Sequence, residues 1–256
     1  MNTLISLLYP IVNVIVTGLF AGVVLRQYLQ RHRTYQLYWA IALSMAFVAT
    51  LAYVFMIVAQ PTSETGILFF RLYYILGAAL MPSWLGLGSI ALLARKRFTN
   101  ISLIILCLLS VLAIVLLSFT SINKQQLSQI AGTPGTGILQ PAIGAWLITI
   151  IVLNTLGVLA VVGVAIYSGW QMVHRQGTSS LLWANVLIVT GDLINAVAGT
   201  TARLGIKNIF WLIMTVGWTV FFIGVLLASR PRPRSIPAKQ EGEQQPQVPV
   251  QTPRPV

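Results

Sequence analysis

Charged residues are scarce in this chain, and acidic residues are the scarcest. Only 8% of the 256 residues are charged, with four Asp and Glu against sixteen Lys and Arg. Seven stretches of about 20 residues are almost free of charge, and none contains a lysine or a histidine. Because roughly 20 apolar helical residues cross a hydrocarbon core about 30 Å thick, the sequence predicts an all-α membrane protein, a seven-transmembrane helix bundle. We place its spans near Leu4–Leu25, Leu37–Ala59, Ile67–Ala94, Ile101–Phe119, Ile143–Gly169, Ser180–Thr200 and Ile209–Ser229.

The missing side chains exclude several kinds of intramembrane chemistry. A covalent retinal site needs a lysine in the final span to form its Schiff base, and an intramembrane haem or zinc site needs histidine ligands. Both histidines, His32 and His174, lie in predicted loops. We therefore expect no enzyme, no cofactor and no metal site. The lysines lie outside the spans as well, at Lys96, Lys124, Lys207 and Lys239.

The basic residues are divided unequally between the two sides of the predicted bundle. The positive-inside rule then predicts an extracytoplasmic N-terminus and a cytoplasmic C-terminus in the cell inner membrane. Basic residues at the cytoplasmic surface attract anionic lipid headgroups, and without interleaved aromatics they do not predict nucleic-acid binding. The cytoplasmic side holds Arg26, Arg31, Arg33, Arg95, Lys96, Arg97, Arg175, Arg230, Arg232, Arg234, Lys239 and Arg254. The other side holds Arg71, Lys124, Arg203 and Lys207.

The composition changes sharply after Ser229, which divides the chain into residues 1–229, the bundle, and residues 230–256, a tail. The tail contains seven of the twelve prolines and little apolar surface. Such a composition cannot bury enough apolar area to fold, so we expect a disordered, Pro-rich cytoplasmic tail.

A short internal repeat suggests a three-plus-one-plus-three organisation. The sequence from His32 and Arg33 to Trp39 and Ala40 resembles that from His174 and Arg175 to Trp183 and Ala184. Both segments enter the next span from the cytoplasmic side. Spans one to three and five to seven would then be parallel units joined by span four, a plan that some transporters use. The alternative is that the preferences for basic residues and interfacial tryptophans at the cytoplasmic surface produce the similarity without common ancestry.

Asp192 is the only acidic residue in any span. Asn185 and Asn195 fall on the same helical face, and a carboxylate at this depth must face the bundle interior, pair with a cation or be protonated. We expect Arg71 to be its partner, with Arg203 as the second choice. Two interpretations remain open: a polar network that fixes helix packing, and a polar patch in a ligand cavity or a protonatable switch.

Several other residues inside spans are candidates for packing or binding roles. Trp84 and Trp218 lie deep in spans three and seven, where an indole either packs or lines a ligand pocket. Pro82 should bend span three. Gly18 and Gly22 form a GxxxG pair that allows close helix packing within or between protomers.

Spans two and three carry one family resemblance. They read Tyr38-Trp39, then Leu68-Phe-Phe-Arg-Leu-Tyr-Tyr-Ile-Leu-Gly77, then Met81-Pro-Ser-Trp-Leu85. This pattern resembles the seven-helix sensor region at the N-terminus of some bacterial histidine kinases, which implies signal detection in the bundle and relay to an output domain. Because no output domain follows Ser229, we expect a separate membrane or cytoplasmic protein partner.

The predicted function is therefore that of a non-enzymatic membrane protein. It would be a receptor-like or sensory bundle, or an accessory subunit of a membrane complex. The alternative prediction is a small-solute transporter built on the three-plus-one-plus-three plan.

Overall fold

The computed structural model describes residues 3–174, 179–206 and 209–229. The predicted tail, residues 230–256, lies outside these ranges. Within them, seven helical stretches are long and apolar enough to cross a membrane, which confirms the predicted all-α bundle of seven long apolar helices. The helices are α1 (Thr3–Arg31), α2 (Thr34–Val58), α3 (Glu64–Tyr73), α4 (Met81–Leu93), α5 (Lys96–Phe119), α6 (Lys124–Leu127), α7 (Ala145–His174), α8 (Ser179–Arg203) and α9 (Phe210–Ala228).

The third stretch is composite, because a π-helical segment, Tyr74–Leu80, joins α3 to α4. Pro82 lacks a backbone N–H and cannot donate to the carbonyl four residues earlier. The helix widens into a π turn just before Pro82. There the N–H of Met81 bonds to the carbonyl of Leu76, five residues back. The structure thus has a π turn on the N-terminal side of Pro82, and the bend of span three stays a prediction.

The described helices pack as a ring. Contacts run from α1 to α2, from α2 to α3 and α4, from α4 to α7, from α7 to α8, from α8 to α9, and from α9 back to α1. The α5 helix lies outside this ring, against α4, the π segment and α7. Spans one to three and five to seven thus supply the ring, and span four flanks it. Whether the halves are a repeat stays a prediction.

Residues Ser121–Gln140 fold over one end of the ring, and we call them the cap and this end the loop end. Two short antiparallel strands, β1 (Ser121–Ile122) and β2 (Leu139–Gln140), close the segment. Its apolar side chains point into the bundle rather than outward. The buried ones are Leu127, Ile130, Ile138 and Leu139.

Two tyrosines inside the bundle bind the cap through its backbone. The hydroxyl of Tyr53 lies 2.9 Å from the carbonyl oxygens of both Ile130 and Thr133, and that of Tyr73 donates to the carbonyl of Pro134 at 3.2 Å. The bond from Tyr53 to Ile130 adds to the one that the Ile130 carbonyl accepts from the N–H of Thr133 at 2.8 Å. The Gly- and Pro-rich part of the cap is therefore fixed to α2 and α3.

Small residues set the closest helix contacts. A Cβ on Gly157 of α7 would lie 2.5 Å from the carbonyl carbon of Pro82, so only glycine allows this approach. The predicted GxxxG pair behaves differently: Gly18 meets the side chain of Phe47, whereas Gly22 has nothing within 4 Å of its Cβ position. Within the chain, only Gly18 of that pair makes a close contact. A contact of Gly22 between protomers stays a prediction.

We expect Gly157→Ala to destabilise the bundle by about 1–3 kcal/mol, because the added methyl overpacks the contact between α4 and α7. Gly163→Ala on the same helix is the matched control, since nothing lies within 4 Å of its Cβ position. It should be neutral or slightly stabilising, because alanine favours helix more than glycine does. The thermal midpoints of the two variants in detergent measure the difference. Equal midpoints would contradict the close contact.

Candidate functional site

A cavity of about 470 Å³ lies inside the ring at the loop end. Its walls are the third span, α7, α8 and α9, and Pro134 and Thr136 of the cap contribute to its lining. The volume falls within the range of small-molecule sites, about 300–1,000 Å³. The size and position make this cavity the leading candidate for a binding site among the described residues.

Each helix that borders the cavity turns one face toward it. On α8 the lining residues include Asp192, Asn195 and Gly199, and on α7 they include Asn154 and Val158. Spacings of three and four residues put such positions on one side of a helix. Most of the remaining lining is apolar or aromatic, with Tyr73, Tyr74, Met81, Leu85, Phe210, Met214 and Trp218.

The cavity opens between α7 and α8. Toward the opposite end these helices are joined, because Asn185 of α8 donates to the hydroxyl of Ser168 on α7 at 3.3 Å. Toward the loop end, lining residues of both helices are exposed: Leu159 on α7, and Thr200 and Arg203 on α8. The two helices therefore flank a lateral mouth, with Arg203 on its rim.

Three residues that line the cavity each have an acceptor oxygen without a hydrogen-bond partner among the described residues. These buried atoms are Oδ2 of Asp192, Oδ1 of Asn154 and Oδ1 of Asn195. Asp192 is only 7% exposed. Since buried polar groups are nearly always hydrogen-bonded, these atoms mark an unsatisfied polar region beside the cavity.

The position of Asn195 depends on a glycine of α9. A Cβ on Gly217 would lie 2.8 Å from Cγ of Asn195, so a larger residue at 217 would displace the amide. The close packing of α8 on α9 thus fixes the amide of Asn195 against α9. The GxxxG pair in α1 did not indicate this contact, because the contact joins α8 to α9.

The expected ion pair between Asp192 and Arg71 is wrong for this structure. Arg71 donates instead to the backbone carbonyls of Leu117 and, at 3.1 Å, of Thr120. These carbonyls end α5, where the last turn lacks intrahelical donors and carries the negative end of the helix dipole. The guanidinium of Arg71 therefore has its hydrogen-bond partners at the end of α5 and does not reach the cavity.

The second choice, Arg203, does not replace Arg71. It follows Asp192 by eleven residues on the same helix, which separates the two Cα atoms by about 16 Å at 1.5 Å rise per residue. Arg203 is exposed at the mouth, whereas Asp192 is buried deeper along the wall. Neither predicted arginine lies beside the carboxylate.

The remaining predicted site residues divide between cavity and packing roles. Trp218 lines the cavity and packs edge-on against Phe20, with ring centroids 6.2 Å apart. Trp84 faces away, and its indole N–H donates to Ser110 of α5 at 3.3 Å. Asn185 joins α8 to α7, as described above, and does not line the cavity. Of the predicted set, Asp192, Asn195 and Trp218 thus come together.

The sequence analysis missed Asn154, which lies on the wall contributed by α7. A signal was present, because Asn154 is the only asparagine in that span, and an amide within an apolar helix needs a partner. Comparison with protein-family models, curated proteins and solved structures finds no match to this chain.

We expect Arg71→Met and Asp192→Asn to change stability independently. Each should alter the thermal midpoint, because Arg71→Met removes two hydrogen bonds and Asp192→Asn changes a buried polar group. The double variant should equal the sum of the single variants within about 0.5 kcal/mol, since the residues share no partner. Unfolding free energies of the four proteins measure the coupling. A larger coupling energy would show that Arg71 and Asp192 do interact.

Proposed function

We propose that the chain is a receptor-like, non-enzymatic integral membrane protein that binds a small ligand in the loop-end cavity. The cavity supports this proposal, because it has the size of a small-molecule site and its mostly apolar lining includes Asp192, which has no cation beside it among the described residues. A carboxylate that served packing alone would be paired within the bundle. In a binding site the ligand supplies that partner.

In this proposal the seven helices span the cell inner membrane with the loop end outside. The hydropathy of the seven stretches supports insertion, and the excess of basic residues toward the opposite end supports the orientation. The cavity would then receive ligands from outside or from the outer leaflet. The basic surface at the cytoplasmic end would attract anionic headgroups.

A ligand in the cavity could signal by changing the separation of α7 and α8. Asn154 belongs to α7 and Asp192 to α8, so one ligand that bonds to both favours the arrangement in which the mouth is narrower. Binding shifts a conformational equilibrium only through such differential contacts. A membrane or cytoplasmic partner would detect the change at the opposite end, in keeping with the sensor resemblance.

A small-solute transporter is the second candidate. The ring formed by spans one to three and five to seven, with α5 outside it, supports a three-plus-one-plus-three plan. Transport requires access from both ends. Toward the opposite end, the interior is filled by Phe20, Phe221 and Val225, which favours the receptor.

Topology is tested by cysteine labelling in a Cys107→Ser background. Gln125→Cys in the cap should react with a membrane-impermeant maleimide in intact cells, and Asn100→Cys at the start of α5 should react only after lysis. Both positions are exposed, so accessibility within the fold does not separate them. The reverse pattern would overturn the orientation, and labelling of both in intact cells would overturn insertion.

Ligand binding is tested by filling the cavity. Gly199 lines the cavity and has nothing within 4 Å of its Cβ position, so Gly199→Trp should occupy the space. We expect saturation-transfer NMR to detect binding of a set of phenethylamine, phenylethanol and phenylpropionate to the wild type. Gly199→Trp should abolish that binding.

Gly163→Trp is the matched control, because Gly163 is equally unhindered but lies outside the cavity lining. Equal signals from both variants, or no binding to the wild type, would contradict the proposed function. Uptake of a bound fragment by proteoliposomes, lost in Gly199→Trp, would favour the transporter.

A further inference from the structure

We infer that the cavity selects small organic cations, in which an ammonium group is joined to an apolar body. This inference rests on the proposed function and adds the chemical class of the ligand. It arises from the combination of a carboxylate without a cation and an aromatic wall on the same cavity.

The first step is the charge of the wall. Asp192 is the only acidic residue that lines the cavity, and no Lys or Arg of the described chain forms an ion pair with it. Arg71 bonds to the carbonyls at the end of α5, and Arg203 lies about 16 Å along the helix. The carboxylate therefore lacks a cation, and a charge that is buried without a partner is costly. A cationic ligand supplies that partner.

The second step is the direction of hydrogen bonding. An ionised carboxylate only accepts hydrogen bonds, and a protonated amine donates up to three. Asp192 lines the cavity, and its Oδ2 is an unpaired acceptor. An ammonium group matches this carboxylate, whereas a carboxylate or phosphate would place its oxygens against it.

The third step separates an organic cation from a metal ion. Within the described ranges no group of three or more His, Cys, Asp or Glu side chains could hold a metal. The volume of about 470 Å³ greatly exceeds that of a bare ion. Tyr73, Tyr74 and Trp218 line the same space, and aromatic faces attract organic ammonium groups. The rest of the lining would contact an apolar body.

The mouth supports the same class of ligand. It lies between α7 and α8, on a side where Leu159 and Ile151 are exposed. If these helices span the bilayer, the mouth faces lipid near the loop end. An amine with an apolar body concentrates at that interface, with its charge toward water, and can enter sideways.

The test uses an amine, an alcohol and a carboxylate that share the phenylethyl group. Phenethylamine, phenylethanol and phenylpropionate are titrated into the full chain in detergent, and heats of binding are measured. The amine should bind about 10-fold to 100-fold more tightly than the alcohol, since hydrogen bonds to a charged group contribute about 1.5–3 kcal/mol. The carboxylate should bind most weakly.

Two variants of Asp192 isolate the charge. Asp192→Asn should bring the affinity for the amine close to that for the alcohol, whereas Asp192→Glu should retain the preference. Trp84→Phe is the control, because Trp84 bonds to Ser110 outside the cavity. It should change none of the three affinities.

The outcomes separate this inference from the proposed function. Equal binding of amine and alcohol, or tighter binding of the carboxylate, would overturn the cation preference while leaving a ligand cavity in place. Heat from sodium chloride alone, lost in Asp192→Asn, would overturn it in favour of an inorganic cation. If none of the three compounds binds, both the inference and the proposed function fail.

Discussion

A carboxylate among apolar helices is the constraint on which this structure depends most. If α8 spans a bilayer, a carboxylate on its lipid-facing side would have no route to water, and this favours a position of Asp192 toward the interior of the ring. The structure has this position, since Asp192 is buried whereas its neighbour Leu193 is 45% exposed. This rotation of α8 also turns Asn195 and Gly199 inward. One polar residue thereby decides which face of a whole helix lines the cavity.

Close contacts between neighbouring helices fix the walls of the cavity. Gly157 brings α7 against Pro82, and Gly217 brings α9 against Asn195. At the loop end, Tyr53 and Tyr73 hold the cap in place through its carbonyls. Glycine contacts and hydroxyl bonds thus form the frame around the cavity. A hydrogen bond from Asn185 to Ser168 joins α8 to α7 toward the opposite end from the mouth.

The sequence predicted the elements better than their arrangement. Apolar length determines the seven helices, and the lone acid in a span identified Asp192 as an inward-facing residue. The partner of Arg71 could not be predicted, because it is a pair of backbone carbonyls whose position depends on where α5 ends beside α3. Nor could the ring order, which follows from glycine contacts such as Gly157 with Pro82. Asn154 could have been predicted as a site residue, since an amide in an apolar span indicates a polar neighbour.

The reactivity of a thiol at position 192 tests the central claim most directly. In a Cys107→Ser background, Asp192→Cys and Leu193→Cys are treated with trimethylammonioethyl methanethiosulfonate, and the adducts are measured by intact mass. Our account predicts modification of Asp192→Cys, slowed by phenethylamine, and little modification of Leu193→Cys, because residue 193 faces the apolar exterior. Modification of Leu193→Cys alone would show that α8 is turned the other way, and it would contradict the cavity and the ligand proposed for it.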